Sequence, residues 1–257
     1  MPQLNDKVRR NVLVSTDHGL MIVNRFDCNQ TTAGQGQMLL EHGNASTIEA
    51  DVCARLLFDR CESQSISQPV IFDVGANIGT WTTWMAHFFP HGQLHAFEPQ
   101  RLVSQILAGN CAINNITNVH VHVMALGDQS GTVSINEPDY DQCQSFGNFS
   151  LIYDHRLKTT QHQIVIQQRS LDETMKSLHL TRLDLLKVDA EGMDYMILKG
   201  AVNTLKTHQP IVFVEHSDTF SSLRSQILNF LEYLGYTCHD QGREILAVIA
   251  PPPSTNT

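Results

Sequence analysis

The acidic residues that follow two apolar segments are the groups with the clearest chemical potential. Asp189, Glu191 and Asp194 lie within six positions after the apolar residues 183–188, and Glu215 and His216 follow residues 211–214. A carboxylate can position or deprotonate a hydroxyl group, and a histidine titrates near neutral pH. We therefore predict Asp189, Glu191 and His216 as catalytic candidates. Carboxylates also bind hard divalent cations, so Asp189, Glu191 and Glu215 are candidate Mg²⁺ ligands. One carboxylate of this group is alternatively a cap for the next helix.

A glycine-rich turn follows an earlier apolar segment, residues 70–74. It contains Asp73, Gly75, Ala76, Asn77 and Gly79. Glycine lets the backbone turn sharply and approach a ligand closely, and the helix that follows points its N-terminus at the same place. A dinucleotide fingerprint requires GxGxxG, but Asn77 occupies the middle position, which disfavours a pyrophosphate. The turn suits a phosphate-free ligand such as a methionine moiety. Asp73 can accept a hydrogen bond from the ammonium group of that ligand. A plain strand-to-helix turn is the alternative.

Two more acidic residues follow apolar segments. Glu98 lies 25 positions after Asp73, where an acidic side chain can accept hydrogen bonds from both ribose hydroxyls of a nucleoside. The alternative for Glu98 is a helix N-cap or a solvated charge. Further on, Asp128 can accept from an adenine amino group, with Leu126 and Gly127 beside the ring. An ordinary Asx turn before Gly131 explains the same residues.

The positioning of these side chains requires strands that end at one edge of a sheet. From residue 69 onward, short apolar runs alternate with helical segments, which predicts a doubly wound, mostly parallel α/β sheet covered on both faces. Ligands bind such sheets at the carboxyl ends of the strands. We place a third strand at 119–125, a helix at 193–207, and a loop at 137–160.

The N-terminal part of the sequence has a different pattern. Apolar residues 12–14 and 21–23 flank a turn that contains Asp17 and Gly19, which predicts a β-hairpin. Residues 27–46 read as a loop, and a helix is predicted from 47 to about 61. We divide the chain into an appendage (1–46), a main domain (47–250) and a flexible proline-rich tail (251–257).

Composition limits the class of protein. The 257 residues are 42% hydrophobic and 17% charged with a net charge of −9, which fits a folded domain and argues against a nucleic-acid partner. The six cysteines show no CxxC spacing, so reduced thiols are expected. No apolar run approaches the ~20 residues of a membrane span, and no secretory signal is visible. A cytoplasmic setting is expected.

The motifs together resemble the FkbM-type family of S-adenosylmethionine-dependent methyltransferases. The resemblance covers about residues 47–218, and an isolated Glu49 also falls where the family often has a Glu. Its most specific part is LLKVDAEGMDYMILKGA at 185–201. It also rests on DVGANIG at 73–79, AFEP at 96–99, ALGD at 125–128 with the following Gly131, SLDE at 170–173, and the proline and glutamate at 210 and 215.

This resemblance implies a Rossmann-like class I methyltransferase sheet of seven strands, with the last strand antiparallel and with the hairpin as an N-terminal extension. It implies methyl transfer to oxygen, usually on a sugar or another hydroxylated small molecule or glycan. By position, the turn at 73–79 contacts the methionine end of the cofactor, Glu98 the ribose and Asp128 the adenine, while Asp189 and Glu191 lie in the active site.

Two alternatives from other classes stay open. An NAD(P)-dependent oxidoreductase would use a similar sheet, but Asn77 at the middle position of the glycine-rich turn argues against it. A non-catalytic cofactor-binding module would keep the sheet without turnover. The acidic residues at 189–194 favour an enzyme. The oligomeric state stays open.

Overall fold

The computed structural model of the chain describes residues 9–28, 34–147, 163–215 and 221–249. In chain order, its elements are β1 (Asn11–Thr16), β2 (Gly19–Asn24), α1 (Gln35–His42), α2 (Thr47–Gln64), β3 (Val70–Val74), α3 (Thr80–Phe88), β4 (Gln93–Phe97), α4 (Arg101–Ile113), β5 (Val119–His122), β6 (Ala125–Gly127), β7 (Gly131–Asn136), β8 (Gln163–Ser170), α5 (Leu171–Ser177), β9 (Leu185–Val188), α6 (Asp194–Lys199), α7 (Val202–His208), β10 (Ile211–Glu215), α8 (Ser221–Tyr233), β11 (Thr237–Asp240) and β12 (Glu244–Val248).

A central sheet organises the molecule. Within the described residues it has seven strands in the order β11-β12-β10-β9-β3-β4-β5. The pairs β10–β9, β9–β3, β3–β4 and β4–β5 are parallel, whereas β12 runs antiparallel to both β10 and β11. The predicted doubly wound, mostly parallel sheet with an antiparallel last strand is confirmed. The carboxyl ends of β3, β4, β9 and β10 therefore lie along one edge.

Helices cover both faces of this sheet because its inner strands are apolar on both sides. Phe72 points to the face where it shares a core with Leu198 of α6 and Leu231 of α8. The neighbouring Ile71 points to the opposite face and packs with Leu57 of α2 and with α3. Full burial of such a side chain contributes roughly 1.5–3 kcal/mol. The two cores hold the strand ends in fixed positions.

The predicted hairpin is confirmed and is bound to the main domain by two asparagines, one within α4 and one directly after it. The Ile22 N–H donates to Asn110 Oδ1 at 2.6 Å, and the Asn110 amide donates back to the Ile22 carbonyl at 3.2 Å. Asn114, one turn later, exchanges the same two hydrogen bonds with Leu20 at 3.0 and 2.7 Å. The hairpin also shares a core with α4 through Val23. The domain boundary at 46/47 stays a prediction.

The structure corrects three predicted elements. Helix α1 lies inside the predicted loop 27–46, where the Asp27 carboxylate accepts from the Gly36 N–H at 2.7 Å and anchors the first turn. The predicted strand 119–125 is two strands, because a turn at Met124 sends β6 into a second sheet with β8 and β7. The predicted helix 193–207 breaks at Gly200, where a methyl group would lie 2.0 Å from the Gly127 carbonyl oxygen.

The expectation of six reduced cysteines is wrong for one pair. Cys28 and Cys143 form a disulfide across 115 positions, with their Cα atoms 5.4 Å apart. Spacing in the sequence does not reveal this contact, because tertiary packing of a remote segment creates it. The remaining cysteines are free, namely Cys53, Cys61, Cys111 and Cys238. None of the helices in the described ranges has the length and apolar character of a membrane span.

Several predicted features lie outside the described residues. They are His216, the greater part of the loop at 137–160, and the tail at 251–257.

Candidate active site

The glycine-rich turn lies between the ends of β4 and β9. The N–H groups of Gly75 and Ala76 both donate to the Phe97 carbonyl, at 3.0 and 3.1 Å. Gly75 has φ of 81°, and a methyl group there would come within 1.8 Å of the Asp189 carbonyl oxygen. A glycine is required for both reasons. The turn is thereby fixed beside the acidic residues that follow β9.

The second half of the turn leads into α3. Asn77 has φ of 51° and Gly79 has φ of 90°, so both have left-handed backbone conformations. Among the described residues, the buried Oδ1 atom of Asn77 has no hydrogen-bond partner. A buried polar atom without a partner costs about 1–3 kcal/mol, and a ligand that donates to it removes the cost. Asn77 is therefore suited to contact a polar ligand.

Glu98 stands directly after β4 and is 4% exposed. Its Oε2 accepts from the Asn77 N–H at 3.1 Å, and its Oε1 accepts from the Gln100 N–H at 2.8 Å. Burial raises the pKa of Glu98 to about 7, although both backbone hydrogen bonds favour the ionised form. Each oxygen keeps a further lone pair. The carboxylate can therefore accept two more hydrogen bonds.

A buried ion pair joins β3 to β9. Lys187 Nζ lies 3.1 Å from Asp73 Oδ1 and 3.5 Å from Asp189 Oδ2. Burial by itself lowers the pKa of Lys187, but the carboxylates of Asp73 and Asp189 outweigh it and raise that pKa overall. The second oxygen of Asp73 accepts from the Thr82 hydroxyl at 2.5 Å. Both Asp73 oxygens thus have partners inside the protein, and its predicted role at a ligand ammonium stays a prediction.

Three carboxylates follow β9 and β10 at this edge, and all have raised pKa values. Burial raises the pKa of Asp189, and Lys187 opposes the shift. Burial and then the Asp189 charge raise the pKa of Glu191 to about 8. The Asp189 charge and then burial raise the pKa of Glu215 to about 7. Groups with pKa values near neutrality are suited to proton transfer.

Asp194 holds the loop between β9 and α6 and has a structural contact for each oxygen. Its Oδ1 accepts from the Ala190 N–H at 2.8 Å and its Oδ2 from the Gly192 N–H at 3.2 Å. This loop carries Glu191 with φ of 48°, a conformation uncommon for residues other than glycine. Of the three carboxylates at 189–194, Asp194 therefore stabilises the loop and none caps α6 through its side chain, which leaves Asp189 and Glu191 as candidates for chemistry.

The predicted magnesium site is not supported. In the part of the chain that the structure describes, no three His, Cys, Asp or Glu side chains converge as a metal ligand set. Two of the proposed ligands are close to cations instead, since Asp189 lies beside Lys187 and Glu215 lies 3.9 Å from Arg243. Carboxylates that are already neutralised by basic side chains are weaker ligands for a hard cation.

The predicted adenine-contacting residues lie on β6, in the second sheet. Leu126 belongs to the main core, and Gly127 packs against Gly200. Asp128 forms an ion pair with Lys199 at 3.8 Å. The adenine role of Leu126, Gly127 and Asp128 stays a prediction.

Sequence reasoning interprets Lys187 as a cation that offsets the carboxylates after its strand, which its ion pair with Asp189 agrees with, but it missed the pairing with Asp73 and the role of Gln100. Lysine is almost never fully buried unless paired, so Lys187 within the apolar run 185–188 was a signal for a buried carboxylate partner. Gln100 is 4% exposed, and its amide donates to the Phe146 carbonyl at 2.8 Å. The Tyr140 hydroxyl donates a hydrogen bond to Gln100 Oε1 at 3.4 Å. No local pattern indicates that second set of contacts.

Comparisons with known proteins identify the family of the chain. The family profile described as "Methyltransferase FkbM domain" matches residues 73–238. A similar protein is methyltransferase sdnD of Sordaria araneosa, 26% identical over an alignment of 224 residues; the match covers 74% of this chain and 83% of that protein. Another is the 2-O-methyltransferase NoeI of Sinorhizobium fredii, 24% identical over 160 residues, 58% of this chain and 64% of that protein.

A solved structure is also similar. It is the methyltransferase FkbM from Methylobacillus flagellatus, with a TM-score of 0.49 and 18% identity. The match covers 71% of this chain and 44% of that protein, so the chain spans less than half of its length.

Proposed function

Because the chain belongs to the FkbM methyltransferase family, we propose that it uses S-adenosylmethionine to methylate a hydroxyl oxygen of a small molecule or glycan. The observation that carries the proposal is the position of the buried Glu98 carboxylate. It is hydrogen-bonded to the backbone of the glycine-rich turn, and the same turn touches the residue that begins the acidic loop, Asp189.

The residues at the strand ends fit the cofactor. Glu98 has free lone pairs for the two ribose hydroxyls, and Asn77 Oδ1 is a buried acceptor without a partner in the described residues. Glycine at position 75 lets the turn pack against the Asp189 backbone, and the charge of Asp73 is balanced by Lys187. A ligand with hydroxyl and ammonium donors and no phosphate suits this set of acceptors.

The chemistry divides between cofactor and protein. When bound, S-adenosylmethionine supplies a sulfonium methyl group that is already electrophilic. The side chains need to align the acceptor oxygen behind the carbon–sulfur bond and to receive the hydroxyl proton. Asp189 or Glu191 would accept the hydroxyl proton as the acceptor oxygen takes up the methyl group, with S-adenosylhomocysteine as the second product. The pKa of Glu191, raised to about 8 by burial and then by the Asp189 charge, makes its carboxylate a stronger base than an ordinary one, and burial raises the pKa of Asp189 as well.

Two further observations support an oxygen acceptor of low molecular weight. The name of the relative NoeI specifies a 2-O-methyltransferase, and its similarity to this chain favours the same acceptor element. The net charge of −9 and the carboxylates at the site disfavour a polyanionic acceptor such as nucleic acid. A hydroxylated natural product, or a sugar unit of a glycan, fits these constraints.

The experiment incubates the purified protein with S-adenosylmethionine and a panel of sugars, glycans and hydroxylated natural products. We expect S-adenosylhomocysteine to accumulate with at least one acceptor, and mass spectrometry to place the new methyl group on oxygen. Calorimetric titrations with S-adenosylhomocysteine and NADH are run in parallel. Binding of NADH alone would contradict the proposal and favour an oxidoreductase. Binding of the thioether with no turnover across the panel would favour a binding module.

A further inference from the structure

A short segment of the chain, residues 137–147, lies over the loops that follow β3 and β4; we refer to it as the cover. It grips Gln100 from two sides, because the Phe146 carbonyl accepts from the Gln100 amide at 2.8 Å and the Tyr140 hydroxyl donates to Gln100 Oε1 at 3.4 Å. The Gln100 N–H is in turn bound to Glu98. The cover is therefore connected to the proposed ribose acid through a single residue.

The same segment also touches the glycine-rich turn. A methyl group at Gly147 would come within 2.9 Å of the Asn77 amide nitrogen, so the backbone of the cover lies directly against that side chain. Phe146 is 3% exposed and packs beside Ile78 of the turn and Tyr140. The cover thus contacts both loops that the proposed function assigns to the cofactor. A cofactor bound by these two loops would therefore lie next to the cover.

The cover is tied to the N-terminal part of the chain next to β2. Asp27 Oδ1 accepts from the Phe146 N–H at 3.0 Å, while its other oxygen accepts from the Gly36 N–H of α1. The Gln144 N–H donates to the Phe26 carbonyl at 3.0 Å. The covalent tie is the disulfide between Cys28 and Cys143. One crosslink and several backbone hydrogen bonds therefore hold the cover in one place.

We propose that the Cys28–Cys143 disulfide holds the cover over the cofactor crevice and that its reduction by a thiol releases the cover and speeds cofactor exchange. This inference rests on the proposed function, because it names the regulation of the same site. Asp27 contributes a single hydrogen bond to the cover, because its other oxygen binds α1. The crosslink adds a covalent limit on how far the cover can move.

The redox chemistry balances with an external dithiol. The sulfur–sulfur bond breaks, Cys28 and Cys143 each gain one electron and one proton, and two thiol groups of the reductant form a new disulfide. Cys143 is exposed and Cys28 is partly exposed, so a small thiol can reach the bond. Among the free cysteines, Cys53 and Cys111 are buried and do not compete for the oxidant.

The test compares the oxidised protein, the dithiothreitol-reduced protein and the variant Cys28→Ser/Cys143→Ser. Intact mass under non-reducing conditions reports whether two hydrogen atoms are lost on oxidation. Stopped-flow displacement measures the dissociation rate of S-adenosylhomocysteine, and hydrogen exchange followed by mass spectrometry measures the protection of residues 137–147. Cys238→Ser, which removes a free cysteine of strand β11, is the matched control.

We expect the reduced protein and the double variant to release the thioether about tenfold faster, equivalent to the loss of one or two hydrogen bonds. Exchange within 137–147 should rise in both, while Cys238→Ser behaves as the wild type in each redox state. The absence of a crosslink after oxidation, or equal dissociation rates and equal exchange in the two states, would overturn the inference and leave the proposed function intact. If the thioether binds in neither state, the proposed function fails, and hydrogen exchange still decides whether the crosslink holds the cover.

Discussion

Replacement of Glu98 by glutamine tests the ribose assignment with a change of a single atom. The carboxylate accepts from Asn77 and Gln100 at 3.1 and 2.8 Å, and it is buried. Glutamine keeps one acceptor oxygen and turns the other into a donor that faces a backbone N–H or a ribose hydroxyl. A hydrogen bond to a charged group contributes about 1.5–3 kcal/mol, so S-adenosylhomocysteine affinity should fall about 10- to 150-fold.

The same substitution should remove a pH dependence. The pKa of Glu98 in the free protein is about 7, raised by burial, and only the ionised carboxylate offers every lone pair to the ribose. At pH 6 roughly a tenth of the molecules carry the ionised group, so the affinity should be about tenfold weaker than at pH 8. The affinity of the wild type therefore rises with pH through neutrality, and Glu98→Gln is expected to be nearly flat.

Isothermal titration with S-adenosylhomocysteine at pH 6, 7 and 8 measures both effects. Glu62→Gln on the exposed end of α2 is the matched control and should bind as the wild type does. A thermal unfolding curve for each variant separates loss of binding from loss of folding. Unchanged affinity in folded Glu98→Gln, or an affinity that falls as pH rises from 6 to 8, would refute the ribose assignment.

Three further substitutions test other parts of the site and fold. Asp189→Asn should leave thioether affinity within about threefold and lower the methyl-transfer rate about 10²- to 10⁴-fold; full activity argues against its role as a base. Lys187→Met leaves Asp73 buried without its cation and should lower the urea unfolding free energy by about 3–5 kcal/mol, against little change for exposed Lys199→Met. Burial and then a neighbouring imidazole lower the pKa of His122 to about 4, so the side chain stays neutral in the folded protein. The pKa of the same side chain in the unfolded chain is about 6.5, and the free energy of unfolding therefore falls as the pH drops below that value. His122→Gln should reduce that loss at pH 5 by about 1 kcal/mol, a figure lowered for partial solvent access, and an unchanged pH profile would contradict this.

The central sheet could be predicted because its information is local. Each inner strand is a short apolar run, and a turn of glycines or acids follows it, as in residues 70–79. The sheet rule then places Asp73, Glu98 and Asp189 at one edge, and the structure has them there. The hairpin could be predicted for the same reason, since Asp17 and Gly19 specify its turn.

The remaining features depend on contacts between distant residues. The first turn of helix α1 is held by the hydrogen bond from the Gly36 N–H to Asp27. The helix break at Gly200 lies against the carbonyl of Gly127, 73 positions away. The disulfide joins residues 115 positions apart. Such contacts form only when the tertiary structure brings the segments together, so neither periodicity nor spacing indicates them.

The cover shows the same limit at the site itself. Tyr140 and Phe146 lie within a polar loop of the sequence. No pattern of neighbouring residues indicates their hydrogen bonds to Gln100. The acidic loop is an intermediate case. Three carboxylates in six positions predict chemistry, but only the hydrogen bonds of Asp194 show which carboxylate is structural.

The central claim is that a nucleoside sulfonium cofactor binds across the ends of β3 and β4. A crystal structure of the protein grown with S-adenosylhomocysteine tests it most directly. The account predicts both ribose hydroxyls within hydrogen-bond distance of Glu98, with the sulfur facing the side of Asp189. The claim would be contradicted if, at saturating ligand, the density for the thioether lay elsewhere on the molecule and Glu98 contacted only protein atoms.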